Sequence, residues 1–107
     1  MTSSINCSRN DVVLLPIPFT DLTSRKVRPA VIVGCSGADL FLVPISSVLS
    51  NTDFSLKDWR AAGLNVPSGV KAQLATVEER LVVKIVGQLT AADVQLLNER
   101  LRNWLKL

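Results

Sequence analysis

Val12–Leu15 and Val27–Gly34 are short β-branched runs bounded by turn residues, the form of buried strands. The apolar residues after Thr90 return instead at helical spacing: Val94, Leu97, Leu101, Trp104 and Leu105. That contrast limits the chain to a mainly β fold closed by one C-terminal helix, a small curled antiparallel sheet or barrel with the helix packed on it. A length of 107 residues suits one domain, 1–107, with residues 1–9 expected as a loose N-terminus.

Between the first two strands lies Pro16 to Ser24, long for a hairpin connection, whose prolines stop the first ladder and whose Asp, Thr and Ser favour turns. A turn over 34–39 leads to a third strand, Leu40 to Ile45, closed by Ser46 and Ser47. Ser50 to Gly69 is polar and reads as a weak strand and an irregular excursion. Val70 to Val77 reads as a further strand, 78–80 as a turn, and Leu81 to Leu89 as the last strand. Thr90 is a good N-cap, and Asp93 three residues on approaches a capping box. The helical stripe is expected to make core contacts.

Several function classes are excluded by composition. The chain has no histidine, which removes serine–histidine triads, cysteine–histidine dyads and most zinc sites. Its two cysteines form neither a zinc knuckle nor a Cys-x-x-Cys pair. Cys35 is expected as a small buried hydrophobe and Cys7 as a free thiol in the loose terminus. Met1 to Asn10 lacks the apolar region of a signal peptide, and no apolar run is long enough to cross a membrane, so a cytoplasmic location is expected. The net charge of +3 is mildly basic, but Arg25, Lys26 and Arg28 fall within one short segment, which favours a polyanionic partner.

The ordered set Asp-Val-Val-Leu from Asp11, Pro-Ile-Pro-Phe-Thr-Asp-Leu from Pro16, Arg-Pro-Ala-Val-Ile-Val from Arg28 and Pro-Ile-Ser-Ser from Pro44 resembles the PemK/MazF family of toxin endoribonucleases. Ala62-Gly63-Leu64, Pro67-Ser68, Leu74-Ala75-Thr76-Val77, Val86-Gly87-Gln88-Leu89-Thr90 and the closing helix extend the resemblance over about residues 10 to 105. It implies an SH3-like barrel, a homodimer and sequence-selective cleavage of single-stranded RNA or mRNA without metal or cofactor. It also implies a cognate antitoxin whose disordered tail covers the RNA channel, and a toxin–antitoxin complex that binds operator DNA.

The resemblance implies Arg28 and Ser46 as the catalytic pair. Attack of the RNA's own 2′-hydroxyl on the adjacent phosphate gives a 2′,3′-cyclic phosphate and a 5′-hydroxyl, through a phosphorane whose extra charge a guanidinium can stabilise. Pro29 confines Arg28 to extended backbone, setting its direction before substrate arrives. Ordinary arginine is a poor base, and the resemblance alone assigns Arg28 proton transfer. Ser46 would donate a hydrogen bond to the phosphate or leaving oxygen, as Ser47 could, since alternation says only that the two point opposite ways.

For RNA binding, the loop residues Phe19, Thr20, Asp21, Ser24, Arg25 and Lys26 suit base stacking and phosphate tracking, with Phe19 equally suited to the core. Ser47 is a further candidate, and the resemblance adds Lys71 and Gln73 on a channel-lining strand. Asn10 stands in place of the family's usual glycine, where asparagine tolerates left-handed backbone. Ser46 stands for the more frequent threonine. The alternative is a non-catalytic toxin on the same barrel that inhibits a protein such as DNA gyrase through its C-terminal helix end.

Overall fold

The computed structural model describes residues 6–16 and 26–107. Seven strands form one antiparallel sheet: β1 (Asp11–Pro16), β2 (Val27–Ser36), β3 (Asp39–Ser46), β4 (Phe54–Ser55), β5 (Gly69–Val70), β6 (Ala75–Glu78) and β7 (Lys84–Gln88). The one α-helix among the described residues, α1, spans Ala91–Leu105. The order across the sheet is β4-β5-β3-β2-β1-β7, with β6 also paired to β3. Among the described residues the strands make a curled sheet whose end strands, β4 and β7, do not pair with each other. No helix among them is long and apolar enough to cross a membrane.

The central strands are apolar at nearly every position because both of their faces are buried. Val12, Val31, Val43 and Ile45 face a core completed by Phe54, Leu56, Val70 and the helix residues Leu97 and Leu101. Their neighbours Val13, Leu15, Ala30, Ile32, Leu40 and Leu42 face a second core with Val77 and Val82. Alternation along one strand therefore feeds two cores.

Several expectations change. The second strand runs past Gly34 to Ser36, since Gly34 lies at a register irregularity against Phe41 and the turn proper is Gly37-Ala38, with φ at Gly37 of +60°. Cys35 is consequently carried to the hairpin's outer end and is exposed rather than buried. The expected strand from Val70 to Val77 is two strands, because β5 continues the β4 side of the sheet while β6 crosses to pair with the start of β3. A 3-10 turn over Glu79–Leu81 delays the last strand to Lys84. Cys7 is a free thiol, as expected, but it packs against the second core, and its backbone N–H donates to Glu79 Oε2 at 3.2 Å. Asn10 takes φ of 75°, the left-handed conformation that asparagine accommodates.

At the helix start Thr90 holds the N-cap position without a side-chain cap bond. Its hydroxyl donates to Asp58 Oδ2 at 2.7 Å, and Asp93, wholly buried, accepts the backbone N–H groups of Lys57 and Asp58, both at 2.9 Å. The capping box gives way to a tie between the helix and the excursion that precedes β5. Further along, Leu97 and Leu101 are core residues and Trp104 packs against the core, whereas Leu105 is 46% exposed.

Candidate functional site

Strands β2 and β3 pair from Ser36–Asp39 inward to Ala30–Pro44 and then part. Pro29 has no N–H to donate, so the ladder loses a bond where the next pair would form. Beyond that point β2 stays with β1, Arg28 opposite Leu15, and β3 goes to β5, Ser46 opposite Gly69. A cavity of about 480 Å³ opens in the fork.

Arg28, Ser46, Ser47 and Lys71 all line this cavity, so four of the candidate residues converge. Arg28 sits exposed near the start of β2, on backbone that Pro29 keeps extended. Ser46 Oγ accepts the N–H of Val48 at 3.0 Å, which fixes the hydroxyl oxygen and leaves its hydrogen to donate elsewhere. Ser47 is exposed and carries no such bond among the described residues. Lys71 follows β5, where its backbone N–H donates to Pro44 O at 3.0 Å and holds the residue beside the fork. Among the described residues the lining includes two cations and no carboxylate, which suits an anion.

Gln73 and Lys26 do not line the cavity. Gln73 is turned aside where its N–H folds back to Lys71 O at 2.8 Å, and Lys26 is exposed just before β2. Phe19, Thr20, Asp21, Ser24 and Arg25 lie outside the described residues.

A further wall comes from Gly63, Leu64, Asn65 and Val66, with Ser68 beneath. Gly63, at φ of +93°, lies flat on Val86 and Gly87 of β7, and a Cβ on either glycine would collide with the opposing backbone carbonyl. Sequence reasoning missed this wall. Its signals in the sequence are Ala62-Gly63-Leu64 and Pro67-Ser68, which also carry the family resemblance, and neither says which surface the segment meets.

Residues 8–105 match the family model described as PemK-like, MazF-like toxin of type II toxin-antitoxin system. The chain belongs to the PemK/MazF toxin family. Solved structures agree on the fold. Mycobacterium tuberculosis toxin MazF-mt6 is similar at a TM-score of 0.71 and 19% identity, over 91% of this chain and 97% of that one. An endoribonuclease in complex with its cognate antitoxin, from a mycobacterial species, is similar at a TM-score of 0.67 and 19% identity, over 92% of each chain. No curated protein matches the sequence. The PemK/MazF assignment fits the curled antiparallel sheet and its closing helix.

Proposed function

We propose that this protein is the toxin of a type II toxin–antitoxin pair and acts, as one domain over residues 1–107, as a sequence-selective endoribonuclease on single-stranded RNA. The observation that carries this is the fork itself: Arg28, Ser46 and Lys71 around one anion-suited cavity, with no carboxylate among the described residues of its lining. Arg28 binds the scissile phosphate and stabilises the phosphorane as the 2′-hydroxyl attacks. Ser46, its oxygen held by Val48 N–H, donates a hydrogen bond to a phosphate or leaving oxygen. Lys71 holds a neighbouring phosphate. The products are a 2′,3′-cyclic phosphate and a 5′-hydroxyl end.

The partners that go with this activity are an antitoxin that covers the cavity, a second copy of the chain, and operator DNA for the toxin–antitoxin complex, all in the cytoplasm. The solved endoribonuclease–antitoxin complex of the same fold supports the first of these.

The test is cleavage of a long single-stranded RNA by the purified protein in EDTA. Wild type cuts, and Arg28→Ala and Arg28→Lys do not. Persistent cutting by well-folded Arg28→Ala removes the role of Arg28. Gyrase inhibition with the RNA left intact would replace the enzyme by the protein-targeting alternative, whose contact surface would be the helix end with exposed Leu105 and Leu107. Trp104, packed on the core, is not presented there.

A further inference from the structure

The wall of the fork built by residues 63–66 belongs to a segment stitched down at both ends. At its start, the Asp93 carboxylate takes the N–H groups of Lys57 and Asp58. In the middle, Gly63 N–H donates to Arg60 O and Leu64 N–H to Trp59 O, both at 3.1 Å, and Gly63 rests on β7. At its end, Ser68 Oγ donates to Val66 O at 2.8 Å, and Leu56 N–H to Ser68 O at 2.9 Å. Such a segment presents its side chains to the cavity with little ordering left to be done on binding.

Asn65 is the one carboxamide in the cavity lining. It is exposed, and its amide makes no hydrogen bond to any described residue. The other polar groups of the lining serve what every nucleotide shares: cations answer phosphate, and a hydroxyl donates or accepts indifferently. A carboxamide sets a donor and an acceptor side by side, a pair that can bond two edge groups of one base at once and so tells one base edge from another. Bases of single-stranded RNA expose those edges.

We infer that Asn65 is a specificity-determining residue that reads the edge of one base near the cleaved bond. This rests on the endoribonuclease reading above. The experiment maps the 5′ ends released from a long RNA by wild type, Asn65→Ala and Asn65→Asp, and compares base frequencies at each position around the cut. In Asn65→Ala the preference at one position falls by about fivefold or more, while preferences at the other positions stay as in wild type. Asn65→Asp keeps an acceptor and loses the donor, so at that same position it shifts toward bases offering amino hydrogens.

Unaltered base frequencies in Asn65→Ala overturn the inference, even if cleavage slows uniformly at all sites, because a purely structural or electrostatic role changes rate without changing choice. Failure of wild type to cut RNA is a different result. It removes the endoribonuclease reading, and with it the inference.

Discussion

Arg28 and Ser46 stand at equivalent places on the two arms of the fork, each two residues beyond the Ala30–Pro44 pair that ends the β2–β3 ladder. Ser46 is held by its bond from Val48 N–H, and Ser47 has no such hold. Ser46→Ala is therefore expected to lower RNA cleavage by about 10²–10³, and Ser47→Ala by less than about tenfold. Single-turnover cleavage of one oligonucleotide by the two folded variants checks this, and equal losses would contradict it.

Lys71 borders the cavity, and in the proposed mechanism it holds a neighbouring phosphate and takes no part in bond breaking. Lys71→Gln should weaken RNA binding with a smaller change in the cleavage rate of bound RNA. Losing one phosphate contact also lowers the slope of log affinity against log salt by about 0.7 for a single strand. Binding titrations at several salt concentrations read that slope directly.

Asp93 is a buried carboxylate whose two oxygens each hold a backbone N–H. Asp93→Ala leaves both donors unpaired and should cost about 2–4 kcal/mol in urea unfolding. Thr90→Val removes only the bond to the exposed Asp58 carboxylate and should cost under about 1 kcal/mol. A larger loss for Thr90→Val would mean that its bond to Asp58, rather than the Asp93 carboxylate, dominates the tie between helix and excursion.

Gly63 combines a positive φ with direct backbone contact on β7. Gly63→Ala has to lift the segment off β7 and should destabilise by about 2 kcal/mol or more, measured by thermal unfolding. Gly37→Ala has the same sign of φ but open space around it, so it should cost only about 1 kcal/mol.

Burial, followed by the nearby charges of Glu79 and Asp11 and the Glu79 hydrogen bond, pushes the Cys7 thiol up from 9.0 to about 11. At pH 8 about one Cys7 in a thousand is thiolate, so an alkylating reagent should label exposed Cys35 first. The fold holds Cys7 protonated better than the unfolded chain does. Its contribution to stability is therefore complete below pH 9 and is lost as pH rises through about 11. Cys7→Ala should flatten that part of the stability–pH curve.

Strands β1 to β3 were legible because each is a continuous apolar run, which burial on two faces requires. The break at Lys71–Leu74 was not, since nothing there resembles a turn and the division reflects which neighbour each half pairs with. Asp93 fits a capping box by spacing, yet the N–H groups of Lys57 and Asp58, distant in sequence, captured its carboxylate. Arg28 and Ser46 were singled out by the family resemblance, and the fold adds that both line one cavity at the fork. The 63–66 wall was hidden because its place depends on two glycines meeting across the chain.

Pro29 gives the fork a simple origin: the aperture is kept from zipping by a donor that the backbone does not have. A residue with an N–H at position 29 would offer β3 the next rung of the ladder and draw Arg28 and Ser46 toward closure. The opening thus begins where the main-chain ladder ends, at the Ala30–Pro44 pair. Substitutions at rim positions such as Ser47 or Asn65 should therefore change what the rim offers a ligand while leaving the gap itself in place.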